Sequence, residues 1–304
     1  MTTHLKATLA LEPRDKLGEG PVWDAGAQRL LWQDHGAGII REAKTDGAGG
    51  WRESRRWNLN RAIAAAIPRR GGGLVVPGGT DILTMNDTGE LSEFARLPVD
   101  SELVRINDAK CDSLGRLWAG TLTSNFQSGG GALYRIDPDS KVTTVLQGIT
   151  LANGLDWSPD GGTFYFIDSV SRGVDAFDFD INRGSISNRR TLLTLQFGVP
   201  NGMTVDRDGC LWVAATGGGN VQCYSPQGAL LACVEIGTPG ATSCAFGGEA
   251  GADLFITSRA GRMPDAAKSM GVDPSMMDNN GPEAGGLFVC RPGATGIPGY
   301  AFAG

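Results

Sequence analysis

Four residues head one repeated phrase, and together their side chains could hold a hard cation. The phrase begins Glu19-Gly-Pro-Val-Trp, Asn107-Asp-Ala-Lys-Cys, Asn153-Gly-Leu-Asp-Trp and Asn201-Gly-Met-Thr-Val. Each leading residue enters a short apolar segment that turns at polar and glycine residues and resumes in a second, bulkier one. One carboxylate and three carboxamides at equivalent places supply only oxygen donors, the ligand chemistry of Ca²⁺, Mg²⁺ or Mn²⁺. Arg105 and Lys110 flank Asn107 and Asp108, so positive charge is expected at the same opening. Arg105 precedes Asn107 by two residues and falls on the same side of an extended strand.

The elements that must position these residues follow from the period of the repeat. The apolar residues after each turn are Leu30, Leu74, Leu117, Phe164, Leu211 and Leu254, separated by 44, 43, 47, 47 and 43 residues. Six units of this length, each with room for four short strands and glycine-rich turns, specify an all-β, six-bladed β-propeller. A helical solenoid or a parallel β/α repeat would need sustained 3.6-residue patterns, and none is present. The whole chain, 1–304, is therefore read as a single propeller domain. Counting back ten or eleven residues from each anchor gives Glu19, the Ile63/Ala64 pair, Asn107, Asn153, Asn201 and the Ser243/Cys244 pair. These positions should ring one mouth of the central channel, where buried amides and a carboxylate need a partner that an ion would provide. Trp23, Trp32, Trp118, Trp157 and Trp212 are expected between blades rather than in a ligand site. The Asp112 to Gly115, Asp160-Gly161 and Asp208-Gly209 elements are expected as hairpin turns rather than metal ligands.

Composition narrows the function. The 304-residue chain carries a net charge of −6 and no basic stripe, which argues against nucleic-acid or anionic-membrane partners. No apolar run approaches the roughly 18–20 residues of a membrane span. The beginning, Met1-Thr-Thr-His-Leu-Lys, lacks the apolar stretch of a secretory signal, so a cytoplasmic location is expected. The six cysteines form no C-x-x-C pair and read as small buried hydrophobes, and with only His4 and His35 an imidazole–thiolate zinc centre is not expected.

Longer motifs carry a specific resemblance. Gly18-Glu-Gly-Pro-Val-Trp, Arg105-Ile-Asn-Asp-Ala-Lys, Asn153-Gly-Leu-Asp-Trp-Ser, Tyr165-Phe-Ile-Asp-Ser and Glu283-Ala-Gly-Gly-Leu-Phe resemble the SMP-30/gluconolactonase/luciferin-regenerating-enzyme family, in its regucalcin-like branch. The likeness runs from about residue 14 to the end. It implies a six-bladed propeller with one divalent cation (Ca²⁺, Zn²⁺, Mg²⁺ or Mn²⁺) at the channel mouth, and hydrolysis of small sugar lactones or related cyclic esters. It implies that Glu19, Asn153 and Asn201 hold the metal and that Arg105 and Asn107 contact substrate.

Three departures bear on that reading. The family carries aspartate at position 201, in Pro-Asp-Gly-Met, as ligand and general base; here the chain has Pro200-Asn201-Gly202-Met203. An amide keeps an oxygen for the metal but takes no proton near neutral pH. Asn125 stands where regucalcin-like members place an acidic residue near substrate, and Ala109 replaces the glycine common after Asn-Asp. The catalytic candidates are thus Asn201 and Asp108, and the substrate contacts Arg105, Asn107 and Asn125. Competing readings are a non-hydrolytic, metal-assisted enzyme acting on a carbonyl or imine, and a calcium- or ligand-binding regulatory protein without turnover. A monomer and a homodimer are equally compatible with the sequence. The Met-rich segment at about 262–282 interrupts the blade pattern and reads as a surface insertion or a lid.

Overall fold

In the computed structural model, which describes residues 2–262 and 278–304, six small sheets follow one another around a central channel as a six-bladed β-propeller. Blade 1 runs from Gly18 to Asn58, blade 2 from Ile67 to Arg96, blade 3 from Val104 to Ile149 and blade 4 from Ala152 to Thr194. Each is a four-stranded antiparallel meander. Blades 5 (Val199–Glu235) and 6 (Ala241–Cys290) are completed by the N-terminal segment. Thr3–Lys6 pairs in parallel with Leu230–Glu235, and Thr8–Leu11 then supplies the outer strand of blade 6 against Leu287–Cys290. This exchange closes the ring, because it ties the first residues of the chain to its last two blades. Most of the Met-rich segment, 263–277, lies outside the described residues.

Two devices recur in the blades. The first is aromatic packing between neighbouring sheets. Trp118 and Phe164 are fully buried with Trp157 and Phe179 between blades 3 and 4, and Trp23 stacks on Phe255 between blades 1 and 6 with ring centroids 6.2 Å apart. None of the five repeat tryptophans lines the mouth of the channel.

The second device is a turn carboxylate that also holds a tryptophan. Asp112 is buried; its Oδ1 accepts the backbone N–H of Leu114 and Arg116, and its Oδ2 accepts Arg116 Nε at 2.6 Å and Trp118 Nε1 at 2.9 Å. Asp206 repeats the arrangement in blade 5, accepting Cys210 N at 2.8 Å and Trp212 Nε1 at 2.8 Å. Gly115 and Gly209 complete these turns at φ +82° and +81°, a region glycine enters without strain. The turn aspartates are structural, as the repeat implies. In the 206–209 turn, however, Asp206 and not Asp208 is the organising carboxylate. Asp112→Ala would leave the buried Arg116 charge without its carboxylate and Arg116 Nε and Trp118 Nε1 without acceptors, so chemical denaturation should show a loss of about 3 kcal/mol.

Candidate functional site

The innermost strands make the site because they are irregular. In blades 1, 3, 4, 5 and 6 the pairing of first and second strands slips at the ring position: between Glu19 and Val22, Ile106 and Asp108, Ala152 and Leu155, Pro200 and Met203, and Ala241 and Ser243. A bulge leaves a residue unpaired and re-aims its side chain. Glu19, Asn107, Asn153 and Asn201 all line the same mouth cavity of about 530 Å³. The glycine that follows three of them answers to close packing. A Cβ on Gly202 would overlap the Ser243 side chain, and one on Gly154 would lie 2.6 Å from the Asn201 carbonyl oxygen. Adjacent inner strands can approach this closely only with glycine there.

The ends of the second strands hold the loops that lead into the ring. Asp34 accepts the backbone N–H groups of Lys16 and Leu17, and Asp168 those of Thr150 and Leu151. Each buried carboxylate thus fixes the chain two residues ahead of a ring residue. Ser169 and Thr216 then reach the ring directly. The Asn153 amide donates to Ser169 Oγ at 2.7 Å, and the Asn201 amide donates to Thr216 Oγ1 at 3.1 Å. Both hydroxyls donate onward to backbone carbonyls, of Pro200 and Ala241. With each Nδ2 so anchored, the oxygen ends of Asn153 and Asn201 are oriented by the fold.

The electrostatics are unbalanced in a way that suits a cation. Asn201 Oδ1 is buried and has no hydrogen-bond partner. Asn201 Nδ2 lies 3.4 Å from Glu19 Oε1. The Glu19 carboxyl is pushed up to about 8, first by burial and then by the Asp108 charge, with the Gly20 N–H, the Asn201 amide and Arg259 opposing. An orphaned amide oxygen beside a desolvated carboxylate fits a hard divalent ion, with Asn153 Oδ1 as a further donor. That oxygen now accepts Asn107 Nδ2 at 2.9 Å.

Arg105 and Asn107 sit on the same side, as expected: Arg105 Nη1 donates to Asn107 Oδ1 at 3.1 Å. The same nitrogen lies 2.7 Å from His35 Nε2. His35 is buried, and its pKa is lowered to about 3 by burial and by the Arg105 charge. It is therefore neutral, with Nε2 accepting from Arg105. His35 is the positioning residue that sequence reading passed over. Below pH 6.5 the unfolded chain protonates this imidazole while the folded one does not, so its contribution is complete above 6.5 and is lost as pH falls toward 3. Between pH 6.5 and 5 the wild type should lose about 2 kcal/mol more than His35→Gln, measured as the difference between their denaturation curves.

Three sequence expectations are placed differently. Lys110 does not line the mouth; its Nζ donates to Asp156 Oδ2 at 2.8 Å and to the Met203 carbonyl at 3.0 Å, pinning blades 3, 4 and 5 together below the ring. Lys110 lies five residues on from Arg105 along Val104–Cys111, past the stretch of that strand that reaches the mouth. Asp108 also lies outside the mouth lining, though near enough for its charge to act on Glu19; burial, with Asp156 adding and Lys110 opposing, raises its carboxyl to about 6. Asn125 is exposed on the loop after Leu117–Thr123, where its Oδ1 accepts the Gln127 N–H at 3.3 Å. The residue of that loop that lines the cavity is Phe126.

A family model described as the SMP-30/gluconolactonase/LRE-like region matches residues 17–260, the span that carries this ring. The chain belongs to that family. Regucalcin of Danio rerio is 34% identical over 309 residues, covering 99% of this chain and 100% of that protein. A solved luciferin-regenerating enzyme superposes with a TM-score of 0.85 at 30% identity, over 98% of this chain and 99% of its own. A regucalcin from Agrobacterium tumefaciens, described as a calcium-binding protein, has a TM-score of 0.87 at 24% identity over 99% of each chain, a likeness of fold. For an SMP-30/gluconolactonase member, the mouth just described is the candidate active site. Among its described residues no helix is long and apolar enough to cross a membrane.

Proposed function

We propose that the protein is a divalent-metal-dependent hydrolase of small lactones. The observation that carries this reading is the buried, unpartnered Oδ1 of Asn201 beside the Glu19 carboxylate, in a cavity also lined by Asn153, Arg105 and Asn107. Glu19, Asn153 and Asn201 would hold the cation, which when bound supplies Lewis-acid polarisation of an acyl carbonyl. Their all-oxygen set favours Ca²⁺, Mg²⁺ or Mn²⁺ over Zn²⁺. The calcium-binding description of a structural relative and the gluconolactonase in the family's description support both halves of the reading.

The chain's own residues then divide the remaining work. Arg105, held by His35 and Asn107, presents a fixed guanidinium to substrate oxygens. Asn107 donates to Ala152 O at 2.7 Å and to Asn153 Oδ1, which keeps its carboxamide oriented across blades 3 and 4. Water adds to the acyl carbon, the ring C–O bond breaks, and the ring oxygen leaves as an alcohol. Asn201 cannot take the proton of that water. Asp108, whose charge acts on the Glu19 carboxyl, is the carboxylate left to receive it.

The single carboxylate of the ligand set also favours a second reading, a cation-binding protein with little turnover. A panel of lactones assayed by proton release with Ca²⁺, Mg²⁺, Mn²⁺ and Zn²⁺ separates the two. Hydrolysis abolished by EDTA and restored by one metal is the expected result. Cation binding with no hydrolysis of any lactone would sink the hydrolase reading and leave the second.

A further inference from the structure

The mouth is lined in a way that a polyhydroxylated sugar does not need. Leu17, Leu122, Phe126, Leu151, Val199 and Pro200 contribute an apolar wall around the ring. Hydroxyl groups seated against that wall would lose water without gaining partners. Phe126 makes the point most clearly. It is a bulky residue in the left-handed region at φ +54°, a conformation that costs energy unless the surroundings impose it. Here they do: the Phe126 N–H donates to the Thr123 carbonyl, and the next N–H, of Gln127, donates to Thr123 Oγ1 at 2.7 Å and to Asn125 Oδ1. The loop accepts backbone strain to lay a benzyl group, half-buried, on the cavity.

Against this wall stands positive charge. Lys16 and Arg105 line the cavity, and Glu19 is the one acidic side chain among its described lining residues. Arg105 is held by two neutral groups, His35 and Asn107, and no described carboxylate lies within ion-pair distance of it or of Lys16. A divalent ion at Glu19 would add to the imbalance. In a chain whose overall charge is −6, a cationic mouth of this kind concentrates anions. A planar guanidinium is matched to a planar carboxylate.

We propose that the substrate of this site is an anionic, sparsely hydroxylated lactone: a small ring resting on Phe126 and the aliphatic wall, with a free carboxylate reaching Arg105 and Lys16. The inference rests on the lactonase reading above and names its substrate class. Hydrolysis is the same water addition, with the acyl C–O bond broken, the ring oxygen protonated and one proton released as the new carboxylate ionises. The product is a hydroxy dicarboxylate.

The test uses the full chain with calcium. Rates are measured for 5-oxotetrahydrofuran-2-carboxylate, its methyl ester, γ-valerolactone and glucono-1,5-lactone, the spontaneous rates being subtracted. The carboxylate lactone should exceed its ester and gluconolactone in kcat/KM by about tenfold or more. Lys16→Ala, at an exposed position, should raise KM about threefold more for the carboxylate lactone than for its ester. Phe126→Asn, which tolerates the left-handed backbone, should lower kcat/KM for all three five-membered lactones relative to gluconolactone. Equal rates for acid and ester, or a preference for gluconolactone, would overturn the substrate assignment while the lactonase reading stood. If no lactone is hydrolysed, the lactonase reading fails, and titration calorimetry decides the ligand class. Binding of 2-hydroxyglutarate at least about fivefold tighter than 4-hydroxypentanoate and gluconate supports an anionic, sparsely hydroxylated ligand; equal or weaker binding overturns it.

Discussion

Asn201→Asp is expected to raise kcat for lactone hydrolysis by about a hundredfold, the scale of a restored general base. The substitution places a carboxylate where the amide now leaves Oδ1 unpartnered at the mouth, with Nδ2 3.4 Å from Glu19 Oε1. Two consequences follow from one atom exchange. A proton acceptor appears beside the water, and the ligand set gains a second negative charge, which tightens cation binding. The cost is also visible in the structure. The new oxygen would replace the nitrogen that donates to Thr216 Oγ1, while that hydroxyl already donates to the Ala241 carbonyl. Without a cation, the introduced carboxylate and Glu19 would repel each other across the mouth. The variant should therefore melt below the wild type in EDTA and above it in calcium, with the two proteins compared by thermal unfolding in both conditions. An unchanged kcat, with the melting temperatures crossing over as described, would show that the amide is not what limits turnover.

Glu19→Gln should act in the opposite sense on both readouts. Glu19 is the only carboxylate in the proposed ligand set, and it faces Asp108 with its own charge poorly solvated. The amide is nearly the same size and removes that charge. In EDTA the variant should unfold at a higher temperature than the wild type, because a desolvated carboxylate facing another carboxylate is a standing cost to the empty fold. In calcium the wild type should gain stability by mass action while Glu19→Gln gains little. Metal-dependent hydrolysis should fall by about a hundredfold or more. A variant that retained the full calcium-induced shift would show that the cation is held elsewhere.

The fold was readable because a propeller writes its architecture at a fixed period. Turn glycines such as Gly115 and Gly209 and the apolar anchors from Leu30 to Leu254 repeat at nearly constant spacing, and each repeat buries its aromatics only against a neighbour. The leading residues Glu19, Asn107, Asn153 and Asn201 were legible for the same reason, as equivalent places in equivalent blades. His35, Ser169 and Thr216 were not. They stand at the far ends of the second strands, in repeats that differ at that place, and their importance comes from contacts made to Arg105, Asn153 and Asn201. Lys110 misled because nearness in sequence to Asn107 does not tell how far along the strand the mouth extends, and its ammonium is taken up by Asp156 and the Met203 carbonyl.

The sequence by itself determined the six blades, the family and the chemical types at the channel mouth, because these depend on period, turn residues and local composition. Only the tertiary structure decided which atom of Asn201 is left without a partner, that Arg105 is held by neutral groups, and that Phe126 rather than Asn125 faces the cavity. These are outcomes of chain closure and of slips in strand pairing. A bulge moves a side chain from one face to another through hydrogen bonds with a strand many residues away, and no local pattern of residue types records that choice.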